Sequence, residues 1–235
     1  MKAIRYFRII SLLLALVFIS APAIIASDIS CLLEKKGPGA KEVITRPTIV
    51  RESVLHSLPV SLRQAEFLID HPRLSMVLAH IYDPSLDLYK VEARPDGLIH
   101  VNDSAGLAGD MELVNSTPGR RLYFISGHFD ILNVRFNGHM VMKISYSERL
   151  SEAPALVDST TTCYIKVNSV IAGFFTQVMA FLFPKKVDAR IGRLSNAVKK
   201  VAIAVHNDPA GAYRRLAASG EAGPGELKDF AAMFL

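Results

Sequence analysis

Arg135-Phe136-Asn137-Gly138-His139-Met140-Val141-Met142-Lys143-Ile144-Ser145-Tyr146 alternates with one exception. Phe136, Met140, Met142, Ile144 and Tyr146 fall with Gly138 on one side. Arg135, Asn137, His139, Lys143 and Ser145 fall on the other, where only Val141 is apolar. Successive strand side chains point to opposite faces, so this period of two predicts a strand with one buried and one mostly wet face. That pattern belongs to antiparallel sheet.

More strands flank it. Tyr89 to Ala93, a turn at Pro95-Asp96-Gly97, Leu98 to Val101, Met111 to Val114 and Leu122 to Ile131 precede it. Thr160 to Asn168 follows a loop with Pro154, with Cys163, Ile165 and Val167 on one face. Upstream, the β-branched residues between Glu42 and Val54 predict a first strand interrupted at Pro47. Ser61 and Gln64 then form a capping-box pair that starts a short helix, and His71-Pro72 stops it and opens a second. Near the end, Val187, Ile191, Leu194, Val198, Val201 and Val205 recur at helical spacing up to Asn207-Asp208-Pro209. The apolar segment Val170 to Phe183 precedes that helix, and Pro184 is expected to kink or split the two. Residues 27–40, with Gly37-Pro38-Gly39, read as a linker; 41–209 read as the domain, and the Ala- and Gly-rich residues 210–235 as a peripheral tail.

The N-terminus reads as an address. Lys2, Arg5 and Arg8 precede an apolar run from Ile9 to Ile19, and Ala21-Pro22-Ala23 matches a small-x-small cleavage pattern. Residues 1–26 are therefore expected to be a signal peptide, making the protein exported, and periplasmic in a Gram-negative bacterium. An uncleaved anchor is the rival reading, but Ser20 and Pro22 interrupt the run before the roughly 20 residues a span needs. Asp28 stands where a lipobox before Cys31 would have a Leu-like residue. About 209 residues remain beyond the leader, enough for one domain with a real core. The net charge of +5 falls to +2 without Lys2, Arg5 and Arg8, which argues against a nucleic-acid partner. Half the residues are hydrophobic and 21% are charged, as in a globular chain. Cys31 and Cys163 could pair in an oxidising compartment, or Cys163 could be a buried thiol unrelated to Cys31.

The element order, with Leu58-Pro59-Val60-Ser61 entering the short helices and Val167-Asn168-Ser169-Val170-Ile171-Ala172-Gly173 entering the last, resembles the helix-grip fold of the START/SRPBCC superfamily of polyketide cyclases and lipid-transport proteins. The resemblance runs from Glu42 to Asn207; the apolar Val170 to Phe183 segment makes the last helix longer than is typical. It implies an α+β fold with a curved antiparallel sheet wrapped around a long C-terminal helix and two short helices after the first strand. It also implies an apolar cavity between sheet and helix for a lipid, sterol, polyketide or similar molecule. Phe136, Met140 and Met142, with Phe174, Val178 and Phe181, are its candidate lining; by periodicity alone each is read first as core, and it is the resemblance that makes the set a pocket.

Motifs for chemistry are sparse. The sequence holds no His-Glu-x-x-His, Cys-x-x-Cys, Gly-x-Gly-x-x-Gly, Walker or Gly-x-Ser-x-Gly pattern, so no cofactor is expected. His128 and Asp130 share a strand face with Ser126, as a base and its orienting carboxylate would, or as the wet side of a strand would. His128 with His139 falls short of a zinc site, and the loop Asp103 to Asp110 lacks calcium-loop spacing and reads as a turn. The leading expectation is a carrier of a hydrophobic small molecule or lipid. The alternatives are a cofactor-independent cyclase or hydrolase using His128 and Asp130, and a protein in peripheral contact with a membrane through Val170 to Phe183, with Lys185 and Lys186 near headgroups.

Overall fold

The computed structural model describes residues 33, 38–131, 134–149, 155–168 and 174–235. Its strands are β1 (Ile49–Leu58), β2 (Lys90–Ala93), β3 (Ile99–Asn102), β4 (Leu107–Thr117), β5 (Arg120–Ile131), β6 (Val134–Arg149) and β7 (Leu156–Val167). They form one antiparallel sheet in the order β1-β7-β6-β5-β4-β3-β2. The helices are α1 (Pro38–Thr45), α2 (Leu62–Asp70), α3 (Pro72–Tyr82), α4 (Phe174–Asn207), α5 (Pro209–Ser219) and α6 (Pro224–Phe234). The edge strand β1 packs on α4 and the opposite edge strand β2 on α3, which itself packs on α4. Both edges thus meet one helical layer, and the sheet curves around it. The architecture is α+β and helix-grip.

The capping box forms as the sequence specifies: Ser61 Oγ accepts from Gln64 N, and Ser61 N donates to Gln64 Oε1. Leu74, Val77 and Leu78 of α3 and Phe67 of α2 fill the main core with Val201 and Val205 of α4.

Three expectations are corrected. Residues 38–45 are helical, where linker and strand were expected. Ala40, Val43 and Ile44 lie at helical spacing and are buried with Leu33 against Leu122 and Val141, on the face of the sheet away from α4. That burial overrides the β propensity of Val43, Ile44 and Thr45. Residues 210–235 are not peripheral: Ala212, Leu216, Phe230 and Phe234 are buried in the main core, Phe230 stacking on Phe234 at 4.6 Å. Pro209 and Pro224 open these helices, their missing N–H groups falling where a helix has no partner to offer. Third, of the kink or split expected at Pro184, the split does not occur: α4 runs continuously through it.

Candidate functional site

The register decides which side chains face α4. Arg51 and Ser53 of β1 reach it directly: Arg51 Nε donates to Asp188, and Ser53 Oγ lies 2.7 Å from Ser195 Oγ. From these two, cross-strand pairing carries the inner face through Cys163 and Ile165 of β7 and Met140, Met142 and Ile144 of β6. It continues through Tyr123, Ile125 and Phe129 of β5 and Met111 of β4 to Ile99 and Val101 of β3. On its other flank α4 is held at the β3–β4 turn. Arg190 Nε donates to Asp103, which is 2% exposed, and Arg190 Nη2 donates to Ala105 O at 3.0 Å. Asp103 also accepts from the backbone N–H groups of Ala105 and Leu107, and Gly106 completes the turn at φ 101°.

Between these two clamps the inner arc of α4 is set by its 3.6-residue period. Leu194 and Val198 fall between Ser195 on the β1 side and Arg190 on the β3–β4 side, so they are directed at the sheet. They are nonetheless 37% and 47% exposed, whereas Val201, on the same arc but further along the helix at the main core, is 4% exposed. Facing them, Ile99, Ile125, Met140 and Met142 are only half-buried. An apolar helix face and an apolar sheet face oppose one another without closing. At one end the main core bounds the gap; at the other, Phe129 and Phe136 stack at 5.3 Å beside Ile49, Ile165 and Val187.

The floor of the gap is bent by a row of glycines. Gly109 pairs with Gly127, and Gly127 with Gly138, across β4, β5 and β6 on the inner face. A Cβ on Gly127 would collide with Ala108 O, and one on Gly138 would stand 2.5 Å from Lys166 O. Only residues without a Cβ permit so close an approach, which marks where the sheet curls.

A buried polar cluster ties α2 to the main-core end of the sheet. Arg121, 5% exposed, forks onto Asp70 at 2.6 and 2.7 Å and lies over the Tyr146 ring. The hydrogen-bonded Asp70 carboxylate raises its pKa still further. Tyr146 Oη donates to Glu66 at 3.0 Å, and burial and that bond push its phenol up. Tyr123 Oη donates to Ile69 O, and burial pushes it up to about 12. Burial likewise pushes the Cys163 thiol up to about 11.

Of the candidate residues named from sequence, Phe136, Met140 and Met142 all lie on the inner face. Phe136 is buried in its stack with Phe129, while Met140 and Met142 line the gap. Phe174, Val178 and Phe181 lie in the first turns of α4, where side chains fall outside the described residues. Cys31 does too, whereas Cys163 is buried on the inner face. His128 and Asp130 share a face as expected, but it is the outer one. Asp130 is engaged there by Arg135 at 3.0 and 3.1 Å, a bond that holds its carboxyl below the usual range. His139, on the same face, bonds Ser126 Oγ at 3.0 Å and stacks on Phe124. Among the described residues no three His, Cys, Asp or Glu side chains gather as a metal site would require, and no helix is long and apolar enough to cross a membrane. Sequence reading placed Leu194 and Val198 on an apolar stripe but did not separate them from core; Ile125 and Ile99 carried no signal of their own.

No protein-family profile and no curated protein matches the chain. Solved structures give distant likenesses. Ara h 8.0201 is 13% identical, with a TM-score of 0.37 over 66% of this chain and 98% of that one. A protein from Thermus thermophilus, TTHA0849, is 11% identical, with a TM-score of 0.34 over 66% and 98%. An uncharacterised protein from Rhizobium leguminosarum is 11% identical, with a TM-score of 0.28 over 66% and 95%. The fold and the site stand on the geometry above.

Proposed function

We propose that the protein binds and carries a hydrophobic small molecule or lipid between the sheet and α4, on a scaffold of START/SRPBCC type, and does so outside the cytoplasm after export through residues 1–26. The observation that carries this reading is the exposure of Leu194 and Val198: both are directed at an apolar sheet, yet neither is covered by it. Closing such a gap on an apolar guest is favourable by about 25 cal/mol per Å² of apolar surface removed from water. Ser53, Ser195 and Thr161 supply polar points on its β1 side. His128 and Asp130 lie across the sheet from this space, which favours carriage over chemistry there.

The test is lipid extraction and native mass spectrometry of the purified protein, with an apolar fluorescent probe titrated into the emptied protein. Val198→Asp should fold normally and bind the probe at least tenfold more weakly. A wild type that neither retains a ligand nor takes up the probe would sink the proposal.

A further inference from the structure

The outward face of α4 has a chemistry of its own. The helix carries six Lys and Arg residues against one carboxylate, Asp188. Its charge of +5 equals that of the whole chain; without Lys2, Arg5 and Arg8 the chain carries +2, so outside this helix the protein is slightly acidic. Asp188 is turned to Arg51 of β1. Lys186, Arg193 and Lys200 lie on another arc, away from the sheet, and Lys199 lies three turns along from Asp188; all four are exposed. Beside them lies an open depression of about 590 Å³, walled on the far side by Asp83 and Ser85 at the end of α3. Lys200 Nζ is 2.9 Å from Asp83 and is matched there; Lys186 is exposed, and Lys199 is exposed at the edge of the depression. Two apolar side chains stand exposed in this region of the chain: Ile203, which lines the depression, and Leu88, three residues along from Ser85, at 39% and 59%.

We propose that this face docks on an anionic lipid bilayer. A basic helix face on an otherwise slightly acidic protein is drawn to a negative surface, and exposed apolar side chains beside the cations can enter the headgroup layer. The same apolar pair argues against nucleic acid, whose phosphates would leave Ile203 and Leu88 unmatched. The inference concerns the outer face and does not require the inner gap to be loaded.

The experiment is flotation of the full chain with phosphatidylcholine vesicles, with and without phosphatidylglycerol. Each cation near such a surface contributes about fivefold to partitioning. Lys186→Gln with Lys199→Gln should therefore weaken binding to the anionic vesicles about thirtyfold, while Lys90→Gln with Lys228→Gln leaves it unchanged. The wild-type-to-variant ratio cancels any contribution of the N-terminal apolar segment. Binding should also fall in about 1 M salt, where the screening length is near 3 Å. An unchanged ratio, equal partitioning onto neutral vesicles, or displacement from anionic vesicles by duplex DNA would overturn the proposal. Probe uptake without vesicles is measured on the same variants. Docking without uptake sinks the carrier reading alone, and uptake without docking sinks this one alone.

Discussion

Val198 and Val201 are the same residue type within one turn of α4, at 47% and 4% exposure, and replacing each by alanine separates a cavity wall from a core. Truncation removes two methyl groups, worth roughly 1.6 kcal/mol when fully buried. At Val201 that loss is joined by a cavity term and reduced by about 0.5 kcal/mol of improved helix propensity, for a net cost of about 1.5–2.5 kcal/mol. At Val198 only about half the side chain leaves water on folding and no closed cavity is created. The transfer loss of roughly 0.8 kcal/mol is then largely offset by the same propensity gain. Urea unfolding of the two variants should show matching slopes, a midpoint for Val198→Ala near wild type and a clearly lower one for Val201→Ala. In heating, the second should melt about 3–10 °C earlier. Equal losses of about 1.5 kcal/mol or more at both positions would refute the reasoning, because Val198 would then be packed and the gap closed.

Gly127→Ala should destabilise by several kcal/mol or prevent folding, since its Cβ would collide with the backbone of β4; circular dichroism and urea midpoints read this directly. Asp103→Ala should cost about 3–5 kcal/mol by leaving Arg190 without its buried partner, and should speed amide exchange in the middle of α4. Tyr123 and Cys163 hold their protons more tightly folded than unfolded, with values pushed up to about 12 and about 11. The stability they contribute is complete below the unfolded values and lost as pH rises from about 9 to about 12; Tyr123→Phe should flatten the upper part of that decline. Cys163 should resist a thiol reagent at pH 8 in the native protein. Cys163 carries no disulfide, so denatured, unreduced protein should titrate two thiols, and none would mean that Cys31 and Cys163 pair.

The sheet was largely legible because alternation is a local signal: β5, β6 and β7 appear where Leu122, Phe136 and Cys163 place them, and the Ser61–Gln64 cap opens its helix as written. Helix α1 was not, because Val43, Ile44 and Thr45 favour strand until a distant surface offers itself. The clue lay in the sheet: Val141, the one apolar residue on the wet side of β6, is fully buried because α1 lies over it. The final helices were obscured by alanine and glycine, although Ala212 with Leu216 and Phe230 with Phe234 sit one turn apart. The site was half legible. Periodicity selects a face; it does not say whether that face is covered. Leu194 and Val205 belong to one stripe and differ only in what stands across from them.

The glycine row has a consequence for shape. Along β5, Ile125 and Phe129 flank Gly127, so two ridges of side chains stand about 13 Å apart with naked peptide between them. Those peptides bond within the ladder, leaving amide planes as the surface presented to the helix. A molecule lying there rests on a smooth pavement rather than among bristles, and across three strands that pavement is about 10 Å wide. The room between the two ridges is space that a Cβ at Gly109, Gly127 or Gly138 would take away.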